Sequence, residues 1–432
     1  MIVDQIVEKA SLKAEGVQVL MLTQETSAVD FDNDRLKSAQ SAQRTQIEVK
    51  VIVGGKVGIS TTTDPQDIDG VVSRALEAAE FGSPVHFELP EAQDLEQVKI
   101  FDPALLHLEK PEMIRMGQQM MDMIKAYNPE ILAGATINKT ISRVEYANSR
   151  GAHYSADHTD FNVGTGGQLV RGTDILFVSQ SLGQKKRAVD TEAMASQAIE
   201  YFHMAENIAP IESGEIPVVF TPKGLIALLL SLGLAVDGKR VYLGASPLHD
   251  KLGQQIASPS LTILDDPFIE YGPNTSAFDD EGVPRKVTPI IENGVLRNFI
   301  YDLDTAGRSG TKPTGHGSNR NLTNLVINPG NTPYEALLHG IKHGLLVHEY
   351  LGLGQGNPLN GEFSVNLFLG YKIEDGKLVG RVKDVMLAGN AFDALKDITA
   401  ISREREWVSM SYFGVAGLFP YIQVGKLSVT AK

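Results

Sequence analysis

Ile47-Glu48-Val49-Lys50-Val51-Ile52-Val53-Gly54-Gly55-Lys56-Val57-Gly58-Ile59 reads as a strand, a two-residue turn and a second strand. Apolar and polar residues alternate from Ile47, the period of a strand with one face in a core. Gly54-Gly55 supplies the positive φ that a tight hairpin needs. Thr63-Asp64-Pro65 then offers a cap with proline at the first helical position. Ile68, Val71, Val72, Ala75, Leu76 and Ala79 follow at helical spacing, and Gly82 ends the element. Upstream, Val17–Leu22 and the alternating Ala28–Asp32 read as further strands. A meander with a packed helix, rather than a repeated strand–helix–strand unit, makes the fold class α+β.

Two more regions extend outward from this N-terminal antiparallel sheet with packed helices, giving expected domains at 1–103, 111–207 and 215–432. The middle α+β segment opens with a helix over Met113–Tyr127. Its Met113, Met116, Met120 and Met123 recur on one face, a pattern of core packing. Strands are expected at Thr136–Ile141, Val144–Ala147, Phe161–Val163 and Ile175–Ser179, then a helix over Thr191–Glu206. The third region starts with a strand, Pro217–Phe220, and Pro222-Lys223-Gly224 leads into the apolar helix Leu225–Val236. Short strands between Gly, Asn and Pro turns make the remainder β-rich and barrel-like. Thr332-Pro333-Tyr334-Glu335 carries the residues of a capping box.

The net charge of −14 argues against a nucleic-acid partner, and the one basic run, Lys185-Lys186-Arg187, reads as a solvated loop. The absence of cysteine excludes disulfides, zinc–thiolate sites, iron–sulfur clusters and cysteine nucleophiles. The longest apolar stretch, Gly224–Val236, is about 13 residues, short of the roughly 20 that span a bilayer. With no signal-like start, the expectation is a cytoplasmic protein without a membrane partner.

Several clusters carry side chains able to do chemistry. His348-Glu349 ends the apolar run Gly344–Val347. A zincin needs a second histidine on the same helical face, with the glutamate polarising metal-bound water. Here Gly352 and Leu353 hold the next positions, and Gly352, Gly354 and Gly356 argue for a strand entering a glycine-rich loop. His153, Asp157, His158 and Asp160 are competent metal ligands whose spacing matches no metal motif; the segment reads as a polar turn. Asp265-Asp266 and Asp279-Asp280-Glu281-Gly282 lack the alternation of a calcium loop and read as acidic turns. In Thr314–Arg320, Gly315 and Gly317 allow close backbone approach while His316 and Arg320 supply polar contacts, a candidate peptide-binding loop. No nucleophile elbow occurs.

In order and spacing these segments resemble the TldD/PmbA family, also known as modulators of DNA gyrase. The resemblance rests on Asp30–Lys37, Val51–Gly58, Ala75–Ala79, Phe278–Pro284, Ile291–Leu296, Pro313–Gly315, Thr323–Leu325, Asn328–Gly330 and Val424–Thr430, and spans nearly the whole chain. In the family's proteolytic subunit, TldD, the apolar helix opening the C-terminal domain carries His-Glu-x-x-x-His. The matching stretch here, Gly224–Leu234, has leucine, serine and glycine instead, and the cysteine TldD uses near its C-terminus is missing. The resemblance therefore implies the PmbA/TldE branch. This is a subunit that binds extended peptide beside a TldD-like protease partner, in peptide maturation or degradation, with no metal ligand or cofactor of its own. Since a subunit built to pair with a paralogue often pairs with itself, a homodimer is expected when the chain is alone. Two alternatives stay open. One is an independent metal-dependent peptidase, its metal held by His348, Glu349, His316 and other distant residues brought together by folding. The other is a non-proteolytic regulatory protein acting on gyrase.

Overall fold

The computed structural model describes residues 1–353, 355–410 and 415–431. Gly354, counted above among the loop glycines, lies outside them. The first half contains α1 (Ile2–Ser11), β1 (Gly16–Asp32), β2 (Arg35–Val53), β3 (Lys56–Thr62) and α2 (Ile68–Glu80). It continues with α3 (Lys110–Tyr127), β4 (Leu132–Asn148), β5 (His153–Arg171), β6 (Asp174–Gln184) and α4 (Thr191–Met204). The six strands make one sheet in the order β3-β2-β1-β4-β5-β6, every pair antiparallel. Strands from the expected 1–103 and 111–207 segments thus enter the same sheet.

The opening hairpin is where the sequence put it. Val53 faces Lys56, with Gly54 at φ 56° and Gly55 at φ 69°. Asn33 and Asp34 make a second left-handed turn between β1 and β2. Val17–Leu22 and Ala28–Asp32 belong to a single strand, because helices cover one face of the sheet at both ends. Val17 and Val19 pack with Ile47, Val49, Val71, Val72 and Ala75. Val29, Phe31, Ile137 and Phe161 pack on Met113, Met120 and Met121 of α3, so the methionine stripe is core. Two local readings change. Asp64 accepts from the Gln66 amide in a turn, and Asp67 is the N-cap of α2. His153–Asp160 is extended strand within β5, in register with β4, not a turn.

The second half contains β7 (Gly214–Phe220), α5 (Ile226–Ala235), α6 (Gly238–Tyr242), β8 (Ile263–Asp265), β9 (Thr288–Glu292), β10 (Val295–Leu296) and α7 (Leu303–Ser309). Then come β11 (Asn324–Ile327), α8 (Tyr334–His339), β12 (His343–Leu351), β13 (Glu362–Glu374), β14 (Lys377–Arg381), β15 (Val385–Asn390), α9 (Ala391–Lys396), β16 (Ile398–Met410) and β17 (Val415–Ala431). Pairing runs β7-β12-β13-β15-β17 and returns from β17 to β7, closing a barrel. The helix at Tyr334 exists, but its first amide is taken by the distant Glu404 carboxylate rather than by a local capping box.

Ring closure gives β7 and β12 two differently used faces. Val218, Phe220, Leu345 and Val347 share a cluster with Leu228, Leu229 and Leu232 of α5. Val219 and Leu346, on the opposite face, pack with α3 and α4. The halves also meet at the Asp279–Arg285 turn, where Tyr146 Oη donates to Glu281 O at 2.9 Å and Gln18 Nε2 to Asp280 O at 3.0 Å. Gly282 sits at φ 77°, and a Cβ there would lie 2.2 Å from the Tyr146 ring. Gly282→Ala is therefore expected to cost about 2 kcal/mol or more from backbone strain and overpacking. A lowered thermal midpoint checks it, with Gly172→Ala, at a turn open to solvent, as the strain-only comparison.

Candidate functional site

His348-Glu349 lies where β7 ends beside β12. The β12–β13 register shifts on both sides of Glu349, so the strand carries a bulge. A bulge re-aims side chains, and the contacts show the outcome. Val347 and Tyr350 pack with the barrel core. His348 and Glu349 both face outward, towards the first half. His348 Nδ1 lies 3.0 Å from Thr221 Oγ1, and its ring stacks on Tyr201 of α4 at 4.0 Å. Glu349 Oε1 accepts from Lys223 Nζ at 2.6 Å, and Ser179 Oγ of β6 approaches it at 3.3 Å. Lys223 also donates to Ser179 O at 3.1 Å.

This is a polar cluster between the sheet and the barrel, with His348 buried and Glu349, Lys223 and Ser179 half-buried, and it has loose ends. His348 Nε2 and Glu349 Oε2 are sealed from solvent and without a hydrogen-bond partner among the described residues. Burial, helped by the nearby Lys223 charge, holds the His348 imidazole well below its usual range and so neutral. Lys223 Nζ is shared between its ion pair with the Glu349 carboxylate and a 3.2 Å contact with Ser179 Oγ. Lys223, Ser179 and Tyr201 join this site from more than a hundred residues away in sequence or from another lobe. Only the Pro222-Lys223-Gly224 turn hinted at any of them.

Zinc, the metal the resemblance attaches to the proteolytic branch, does not fit these residues. Among the described residues no group of three or more His, Asp or Glu side chains is placed to hold a metal. Leu228, Leu229, Ser231 and Leu232 of α5 are buried in the barrel core, on the opposite face of β12 from His348. His348 and α5 cannot share an ion.

The other candidates are tied up internally. His153 meets Asp4 at 3.0 Å and Asp157 pairs with Arg143. His158 lies 3.6 Å from Asp160, which binds Lys185. Asp279 Oδ1 accepts from the Glu281 and Val283 amides, the acidic turn that was expected. In the 314–320 loop Gly315 and Gly317 take positive φ. His316 is buried between Thr314 Oγ1 and Asp265, at 2.9 and 3.1 Å. Arg320 is spent on Asp237 and Asp302. The polar contacts assigned to a peptide at this loop run inward instead.

Comparison with known proteins matches residues 213–431 to the PmbA/TldA metallopeptidase C-terminal domain and residues 17–79 to domain 1 of the same group. The chain belongs to the PmbA/TldD metallopeptidase family. Among its relatives, a protein named metalloprotease from Methanothermobacter thermautotrophicus is 24% identical over 91% of this chain and 89% of its own length. TldE from Thermococcus kodakarensis superposes with a TM-score of 0.92 over 100% of both chains at 20% identity. A Thermotoga maritima protein described as a modulator of a DNA gyrase superposes at 0.91 over 99% of both chains, at 24% identity. No helix among the described residues is long and apolar enough to cross a membrane.

The His348 environment has a pH consequence. Its folded pKa lies below the unfolded value of about 6.5, so the unfolded chain takes up the proton first. The stability it contributes is present above about pH 6.5 and declines as pH falls below that. His348→Gln should show a smaller drop in thermal midpoint than wild type between about pH 7.5 and pH 5. Equal drops would mean that His348 is not held neutral.

Proposed function

We propose that this chain is the PmbA/TldE-type subunit of a TldD/TldE-like metalloprotease, acting in the cytoplasm on peptides that are matured or degraded. It holds extended peptide, while a TldD-like partner supplies zinc and the hydrolytic water. The observation that carries this reading is α5. At the position where the proteolytic branch bears His-Glu-x-x-x-His, Leu228, Leu229 and Leu232 are packed in the barrel core. Without a partner the chain pairs with itself.

A surface suited to extended peptide supports the same reading. β6 is a terminal strand of the first sheet and carries exposed Ile175 and Phe177. Beside it lies a cavity of about 300 Å³ floored by Gly164, Gly166 and Gly167. Bare backbone next to a strand edge suits strand addition, main chain to main chain.

The test is cleavage of an unfolded protein such as casein by the purified chain, with and without the TldD-like protein of the same source. The expected result is cleavage only in the mixture, lost on chelation. Phe177→Glu should lower the mixture's rate about tenfold by weakening peptide capture. Chelator-sensitive cleavage by the chain alone would instead support the independent peptidase. Co-purification with gyrase, with no partner-dependent cleavage, would support the regulatory reading.

A further inference from the structure

Glu281 lies in the Asp279–Arg285 turn that joins the two halves, and its carboxylate has one oxygen towards each. Oε2 accepts from the Leu303 amide of the second half at 2.8 Å. Oε1 faces Lys50 of β2, in the first half, with Nζ at 3.8 Å. The side chains of both are more than nine-tenths buried, Glu281 at 5% and Lys50 at 9% exposure. Their contact is too long for a hydrogen bond. A buried ion pair repays the desolvation of its charges only with good hydrogen-bonding geometry. At 3.8 Å this pair lacks it, and the neutral carboxyl is favoured.

The surrounding charges act in the same direction. Asp279, in the same turn, and Asp302, beside Leu303, both repel a charge on Glu281. Asp302 is itself paired with Arg320, and Asp280 accepts from the Ser318 amide and hydroxyl. On α7, Asp304 is shared between Arg308 at 2.7 Å and His86 at 3.6 Å. Arg285 gives its hydrogen bonds to Phe278 O and Gly315 O. Lys50 and the Leu303 amide are the groups that favour the ionised form. Burial outweighs them and pushes Glu281 up to about 7.

A cavity of about 200 Å³ opens beside the pair, with Lys50, Glu281 and Ser318 on its wall together with Pro84 and Val85. Water entering there has a charged carboxylate to solvate. The turn itself rests on the sheet through two hydrogen bonds to its backbone, from Tyr146 Oη and Gln18 Nε2. Any displacement of Glu281 towards water therefore acts on the join between the halves.

We propose that this join is a proton-operated latch. With Glu281 protonated the turn stays seated between Lys50 and Leu303; when the proton leaves, the carboxylate is drawn to water and the turn loosens. The closed carboxyl titrates above its unfolded value of about 4.3, so the loosened state gives up its proton first. The closed state is fully favoured below about pH 4.3 and loses ground as pH rises through about 7. Between pH 6 and pH 8 the linkage changes the ratio of loosened to closed by about tenfold. The latch lies within one chain and does not depend on the proposed protease role.

The test is hydrogen exchange of the purified chain, read by mass spectrometry on the fragment containing Leu303 and corrected for the intrinsic rate at each pH. Protection there is expected to fall about tenfold from pH 6 to pH 8. Glu281→Gln has no proton to lose and should hold its protection constant over that range. Lys50→Met removes the cation that favours ionisation, so the fall should move to higher pH; where Glu281→Gln does not fold, this variant decides alone. Constant protection in the wild type, an undiminished fall in Glu281→Gln, or a fall at the same pH in Lys50→Met would each overturn the proposal.

Discussion

The packing of α5 into the barrel core is the constraint on which the rest of this structure depends. Its sequence, IALLLSLGLA, is apolar almost all round, the pattern of a helix buried on every side rather than one with a polar face. Leu228, Leu229 and Leu232 sit against Val218, Phe220, Leu345 and Val347, the strands that the β17–β7 pairing draws into a ring. A histidine or glutamate at those positions would leave a polar group without water or a partner, a cost of several kcal/mol. The apolar sequence of α5 and the stability of the barrel are thus one property.

The same ring sets where His348-Glu349 points. A strand in a closed barrel has one face to the core and one to its surroundings. Leu345 and Val347 take the inner face, and the bulge sends His348 and Glu349 together to the outer one. There they meet Tyr201, Thr221, Ser179 and Lys223. The pair stitches the sheet to the barrel, and Lys223 brings a positive charge to the place where a cation would have to sit.

Much of this was legible from residues alone, where the signal was periodic. The Gly54-Gly55 hairpin, the α2 stripe, the methionine face of α3 and the apolar α5 each follow from a local pattern, and each is found. What failed was long-range. Thr23–Ser27 looks like a break between two strands, because its polar side chains alternate with nothing apolar. It is held extended by β2 and β4 on either side. His153–Asp160 reads as a turn for the same reason and is strand because β4 pairs with it. His316 and Arg320 look available in a glycine loop, but Asp265, Asp237 and Asp302 claim them from 51, 83 and 18 residues away.

Elemental analysis of gently purified, untagged protein, with His348→Ala alongside, bears most directly on the claim that this chain carries no zinc site. Near-zero zinc per chain in both proteins is the result required if α5 has given its ligand positions to the core. Close to one zinc per chain, lost in His348→Ala, would contradict that claim and put a metal on the outer face of β12.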